Sequence, residues 1–300
     1  MSFEKSITDL LTLNNLSPSS QKLYIRILFN LNDKKELKNL KFLDKPSLIL
    51  EKIKDYKPTT QRNIIIAIVS VLKALKSPLY EKYFQIMIDK TKIINDTPTD
   101  QKTETQKKNW IEWEEVENKL KELQDNKISK PITEPQYNKL LQELILSLYV
   151  MLPPRRNDYI NMQITNTNNI KDLTKNYLDL KKELFIFNVF KTSKKDGQLI
   201  VTIPDNLMIV IKKYIKYHPN KLNLKKENIP FLVNFKGEPL SSINSITRIL
   251  NKIFNKNIGS SMLRHIYLSS KYNKVLDEQK QDSKMMSHNL QTQKDYIKKD

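Results

Sequence analysis

The chain has 300 residues, enough for two cores of ordinary domain size at roughly 100–150 residues each. Its 52 lysines and arginines against 33 acidic residues leave a formal charge of +19, which implies a polyanionic partner, because neutralising phosphates and releasing their counterions is the commonest use of such an excess. The absence of cysteine excludes disulfides, thiolate zinc sites and cysteine nucleophiles, and no apolar run approaches the ~20 residues that span a bilayer. The start, MSFEKSITDLLTLNN, lacks the charge-then-apolar order of a signal peptide, so a soluble, intracellular protein with no membrane partner is expected.

In chain order, SPSSQKLYIRILFNL opens a helix at Ser17, which can cap free amides ahead of Pro18, and Leu23, Ile27 and Leu31 recur at helical spacing. KPTTQRNIIIAIVSVLKALKS leads into an apolar helix from about Thr59 to Leu75, rich enough in Ile and Val to be the centre of a small bundle. FLDKPSLILEKIKDY and PLYEKYFQIMIDKTKII are also helical in pattern, so residues 1–95 read as an all-helical domain. Residues 96–109 are polar, contain a proline and have no hydrophobic period, as an exposed connection does.

A second domain is expected over 110–300. WIEWEEVENKLKELQDN is an acidic-first helix, with Trp110 and Trp113 as packing anchors, and YNKLLQELILSLYVML, Tyr137 to Leu152, is strongly apolar and stops at Pro153-Pro154. The period then changes. NYLDLKKELFIFNVF and QLIVTIP are β-branched and aromatic runs flanking KTSKKDG, which predicts a hairpin with Gly197 in its loop. Helical patterns return at LMIVIKKYIKYH, with His218 at the helix end, and at SSINSITRILNKIF and SSMLRHIYLSSKY, where His265 reads as a packing residue. The fold class is therefore mainly α, with a small antiparallel β-sheet in the C-terminal domain.

Only six of the 52 basic residues are arginine, and three of them, Arg155, Arg156 and Arg264, fall in two short segments after Leu152. Arginine is needed where a flat, permanently charged, bidentate fork must meet an anion, and a phosphate is the obvious one. Four segments then follow in order: LPPRRNDYINMQI, KTSKKDG in the hairpin, SSMLRHIYLSS on a helix, and MSHNLQTQKDYIK closing the sequence.

In that order they resemble the tyrosine recombinases of the phage-integrase type, and the resemblance spans both domains: a helical core-binding domain followed by a catalytic domain. It implies double-stranded DNA as the partner, and a site where an arginine, a hairpin lysine, a second arginine, a histidine and a tyrosine surround one phosphate. Arg155 takes the first arginine's place, with Asp158 as the acid three residues on and Arg156 as a DNA-backbone or structural contact. Lys191 best matches the lysine that donates to the leaving 5′ oxygen, with Lys194 and Lys195 as alternatives or DNA contacts; Arg264 is the second arginine, His288 the late histidine, and Tyr296 the nucleophile. Two arginines clamping the non-bridging oxygens, and a 3′-phosphotyrosine conserving the bond energy, imply no metal and no cofactor. Lys22, Arg26, Lys57 and Arg62, near the starts of the two clearest N-terminal helices, are expected to meet DNA phosphates, and the two domains to close around the duplex.

The match departs from the family's pattern at three points. Ser261 stands where a histidine usually precedes the second arginine, Tyr296 follows His288 by eight residues, and Pro154 and Ser287 replace glycines. A homotetramer on paired sites, with a monomer allowed off DNA, is implied, and the Lys- and Asn-rich style leans toward members from large DNA viruses, virophages and eukaryotic mobile elements, hence the nucleus or cytoplasm of a host. The alternatives are an inert DNA-binding relative, a telomere resolvase or type IB topoisomerase using the same chemistry, and, last, a lysine-rich RNA-binding helical protein, against which the absence of RNA-module motifs speaks.

Overall fold

The computed structural model describes residues 2–96, 101–165, 172–225 and 227–297; residues 97–100 of the expected connection lie outside them. The chain divides into two compact units, Met1–Gln101 and Lys102–Asp300.

The first unit is helical: α1 (Phe3–Leu13), α2 (Pro18–Leu31), α3 (Pro46–Ile53), α4 (Pro58–Ala74) and α5 (Tyr80–Asn95). Ser17 caps α2 by accepting the Ser20 amide, with Pro18 in the first turn, as the Ser-Pro pair predicts. The Ile/Val run of α4 buries Ile64, Ile65, Ala67, Ile68, Val69, Val71 and Leu72, so this helix packs on several sides and forms the centre of the unit. Tyr83 of α5 reaches that core and donates from its hydroxyl to the Leu43 carbonyl at 2.9 Å, satisfying the one polar atom it buries.

In the second unit α6 (Glu104–Asn109) is a short helix closed by a Thr103–Gln106 capping box, so part of the stretch expected as an exposed connection is ordered by local hydrogen bonds. α7 (Trp113–Gln124) and the apolar α8 (Glu134–Val150) follow, and Trp113 packs edge-on against Tyr267 at 5.1 Å. Then come β1 (Gln163–Thr165), β2 (Tyr177–Asp179), β3 (Leu184–Phe187), α9 (Ser193–Asp196), β4 (Leu199–Thr202), α10 (Asp205–Lys216), β5 (Ile229–Pro230), α11 (Ser245–Phe254), α12 (Ser260–Met285) and α13 (Leu290–Tyr296). Among the described residues no helix is long and apolar enough to cross a membrane.

The strands form one sheet in the order β4-β3-β2-β1-β5, and it is mixed, which corrects the antiparallel expectation: β1 runs parallel to β2, while the other pairs are antiparallel. β1 and β5 hold only three and two residues, too few to show alternation in sequence. The expected single strand over NYLDLKKELFIFNVF is itself a hairpin. Asp179 Oδ1 accepts the amides of Lys181 and Lys182, and Glu183 takes a left-handed φ of 55°, so the chain reverses between β2 and β3. The predicted β3–β4 hairpin is present, with α9 in its loop and Gly197 at φ 72°, where a glycine avoids the strain a side chain would meet.

His218 follows α10 and is fully buried; its Nε2 bonds the Pro230 carbonyl at 3.0 Å and its Nδ1 accepts the Asn220 amide at 3.1 Å, which is the neutral tautomer's pattern. Burial holds its pKa below the ordinary 6.5, against the opposing pull of the carbonyls. The unfolded chain therefore binds a proton first as pH falls below about 6.5, and stability is lost in that direction. In thermal melts, the wild type is expected to lose more between pH 7.5 and 5.5 than His218→Gln does; equal losses would take His218 out of the account.

Candidate functional site

The site is built on the loop between α8 and β1. Pro154 is buried just ahead of Arg155, and the Tyr149 hydroxyl, on the last turn of α8, donates to the Arg156 carbonyl at 3.0 Å. Burial keeps that phenol's pKa well above the usual tyrosine range, so it remains a donor. Arg155 is thus placed by a packed helix end.

Its guanidinium is fixed from two sides. Nε and Nη2 donate to Asp158 Oδ2 at 3.1 and 2.9 Å, and the centre of the group lies 3.9 Å from the Phe187 ring and 5.5 Å from Phe190. Both members of the ion pair are largely buried, which lowers the local dielectric and sharpens the field around the rest of the fork. Asp158 occupies only part of a five-donor group, so an anion can still be met by the remaining N–H groups.

Asn157 ties this loop to α12. Its Oδ1 accepts from the Ser260 hydroxyl at 2.9 Å, while its Nδ2 donates to the Ile243 carbonyl at 2.7 Å. Ser260 and Arg264 are four residues apart on α12 and share its face, so Arg264 lies one turn from the Arg155 loop. Arg264 is half-buried, and no ion pair of the described residues includes it. His265, expected to pack, is exposed, because one residue turns it ~100° from Arg264.

The hairpin arm reaches the same place. Phe190, beside the Arg155 guanidinium, immediately precedes Lys191, which is exposed, as are Lys194 and Lys195 on α9. Arg156 is also exposed.

His288 and Tyr296 form a separate group. Their rings lie 5.7 Å apart, Tyr296 is 72% exposed, and His288 Nε2 is buried without a hydrogen-bond partner. The His288 amide donates to the Ser283 carbonyl at 3.0 Å, which anchors the pair to the far end of α12. From Arg264 to Ser283 that unbroken helix measures ~29 Å along its axis. The structure therefore brings Arg155, Arg264 and the lysine arm onto one framework, and holds His288 and Tyr296 together but away from it.

In the first unit Lys22, Arg26 and Lys57 are exposed, and Arg62 is half-buried with its Nε unpartnered. Lys22 and Arg26 line a groove of α1 and α2 with Glu4, Gln21 and Phe29. Sequence reasoning missed Asn157, Asn176 and Ser260, which hold the site together; small polar side chains carry no periodicity, and their partners lie far along the chain.

No family model matches the chain, and no curated protein matches it. Among solved structures, a crystal structure of XerA recombinase is similar with a TM-score of 0.37 and 16% identity, over 89% of this chain and 82% of that one. These values describe a distant likeness, which leaves function to be argued from this chain's own residues.

Proposed function

We propose that this protein is a DNA strand transferase of the tyrosine recombinase type, acting on double-stranded DNA. The observation that carries the reading is the Asn157–Ser260 hydrogen bond, which sets Arg264 one helical turn from the loop that fixes Arg155. Two arginines from distant parts of the sequence then face one anion, in a chain of charge +19.

In the reaction, Tyr296 Oη bonds to phosphorus and the P–O5′ bond breaks, leaving a 3′-phosphotyrosine. His288, beside the tyrosine, takes the phenol proton, and Lys191 gives a proton to the departing 5′ oxygen. Arg155 and Arg264 hold the non-bridging oxygens as charge builds there. A second 5′-hydroxyl reverses these steps and rejoins the strand. Lys22, Arg26, Arg62, Arg156, Lys194 and Lys195 contribute backbone contacts. Because α12 keeps Tyr296 from the arginines in the free chain, the reading requires that DNA-bound assembly unite them, which fits a tetramer on paired sites.

A second reading, a DNA-binding relative that does not cut, is favoured by that same separation and by Ser261 in place of a histidine. The two part in a trapping experiment with nicked duplexes, several target sequences, and Tyr296→Phe. A protease-sensitive protein–DNA adduct, absent from the variant, is expected. Tight binding of the same duplexes with no adduct would establish the second reading.

A further inference from the structure

We infer that Asn176 is a positioning residue that sets the lysine arm against the Arg155 phosphate site; the inference rests on the strand-transfer reading above. Asn176 immediately precedes β2 and is 6% exposed. Its side-chain amide makes four hydrogen bonds. Nδ2 donates to the carbonyls of Asp158 at 2.8 Å and Val189 at 2.9 Å, and Oδ1 accepts the amides of Asn188 at 2.9 Å and Val189 at 2.8 Å. Both N–H groups and both acceptor sites are thereby used, the full capacity of the group.

The partners belong to two segments that matter. Asp158 is the acid that grips Arg155, and Asn188 and Val189 lead through Phe190, which flanks the Arg155 guanidinium, to Lys191. Asn188 strengthens the root of the same arm, donating to the Lys175 carbonyl at 2.7 Å and accepting from Gln198 Nε2 at 2.6 Å across the hairpin. An exposed lysine has many rotamers, so the position of its backbone decides whether its ammonium meets the leaving oxygen. Asn176 supplies that position from a buried site, without itself touching the phosphate.

The consequence is specific to one proton transfer. A lysine that protonates the 5′ oxygen matters when the leaving group is an alkoxide, and little when a bridging sulfur replaces that oxygen, since a thiolate departs without a proton. Adduct formation is to be timed on nicked duplexes carrying either a 5′-bridging oxygen or a 5′-bridging sulfur, with the wild type, Asn176→Asp, Asn176→Ala, Lys191→Ala and Arg155→Lys. Asn176→Asp keeps the shape and the acceptor for the Asn188 and Val189 amides, but loses the donations to both the Asp158 and the Val189 carbonyls and sets a carboxylate oxygen against them, so it cuts the tie between segments. Both Asn176 variants are expected to slow cleavage of the oxygen substrate by about 10²-fold, within the range of a lost general acid, and to recover to within a few-fold of wild type on the sulfur substrate, as Lys191→Ala does. Arg155→Lys is expected to stay slow on both. Asn176→Asp slow on both substrates, or fast on both, overturns the inference while leaving strand transfer standing. A wild type that binds but forms no adduct on either substrate overturns strand transfer and this inference together.

Discussion

Arg155→Lys is expected to lower the rate of adduct formation by about 10²–10³-fold, with duplex binding little changed, because the charge is kept and the planar fork is lost. The native guanidinium serves Asp158 through Nε and Nη2 and rests on Phe187, which leaves its other donors aimed by a rigid frame. An ammonium on a flexible stem can approach Asp158 or a phosphate, and lacks the geometry to hold both in a fixed plane. Single-turnover rates on nicked duplexes, beside binding measured at the same salt, check this. A rate within about tenfold of wild type would remove Arg155 from the phosphate site.

The second large effect is on stability. Glu143 of α8 is 2% exposed, and both its oxygens accept from Lys213 Nζ of α10, at 2.9 and 2.7 Å. Burial raises the Glu143 pKa and the lysine opposes that rise. Lys213→Met leaves a buried carboxylate without its cation, and a loss of about 3 kcal/mol is expected in denaturant unfolding. Without the lysine, the folded state holds a proton on Glu143 more tightly than the unfolded chain does, so stability falls as pH rises through that range. The difference between variant and wild type should therefore be larger at pH 8 than at pH 5.5. Adding Glu143→Leu should restore most of the loss, since an apolar pair needs no desolvation of charge. A pH-independent difference would show that lost packing, not lost charge, is the cause.

Much of the fold was legible because it repeats a period. The cap at Ser17, the Ile/Val run of α4 and the apolar α8 follow from local preference and one-sided burial, and Gly197 marks the β3–β4 loop through its backbone freedom. The rest depended on contacts that no window of sequence contains. β1 and β5 exist as strands through pairing with distant segments, and the parallel register of β1 and β2 has no local signature. α12 was expected over SSMLRHIYLSSKY and continues to Met285; Leu268, Tyr272, Val275 and Leu276 carry an exposed apolar stripe as far as Leu276, but the two turns beyond it hold no apolar residue before Met285, so no periodicity announces where the helix ends. For the candidate site, the charged residues are proposed from type and order along the sequence, whereas the bonds of Asn157 and Asn176 appear only in three dimensions. Their separation from the partners they hold is the physical reason.

The unbroken course of α12 also acts as a ruler. Between Lys271 and Lys280 nearly every side chain faces water, so substitution there disturbs little packing. Length is another matter. Each residue deleted shortens the helix by ~1.5 Å and swings everything beyond it by ~100°, so a single deletion points α13 and Tyr296 in a new direction, while removal of seven restores the facing to within ~20° at a cost of ~10 Å in reach. The segment is thus open to change in letter and closed to change in number.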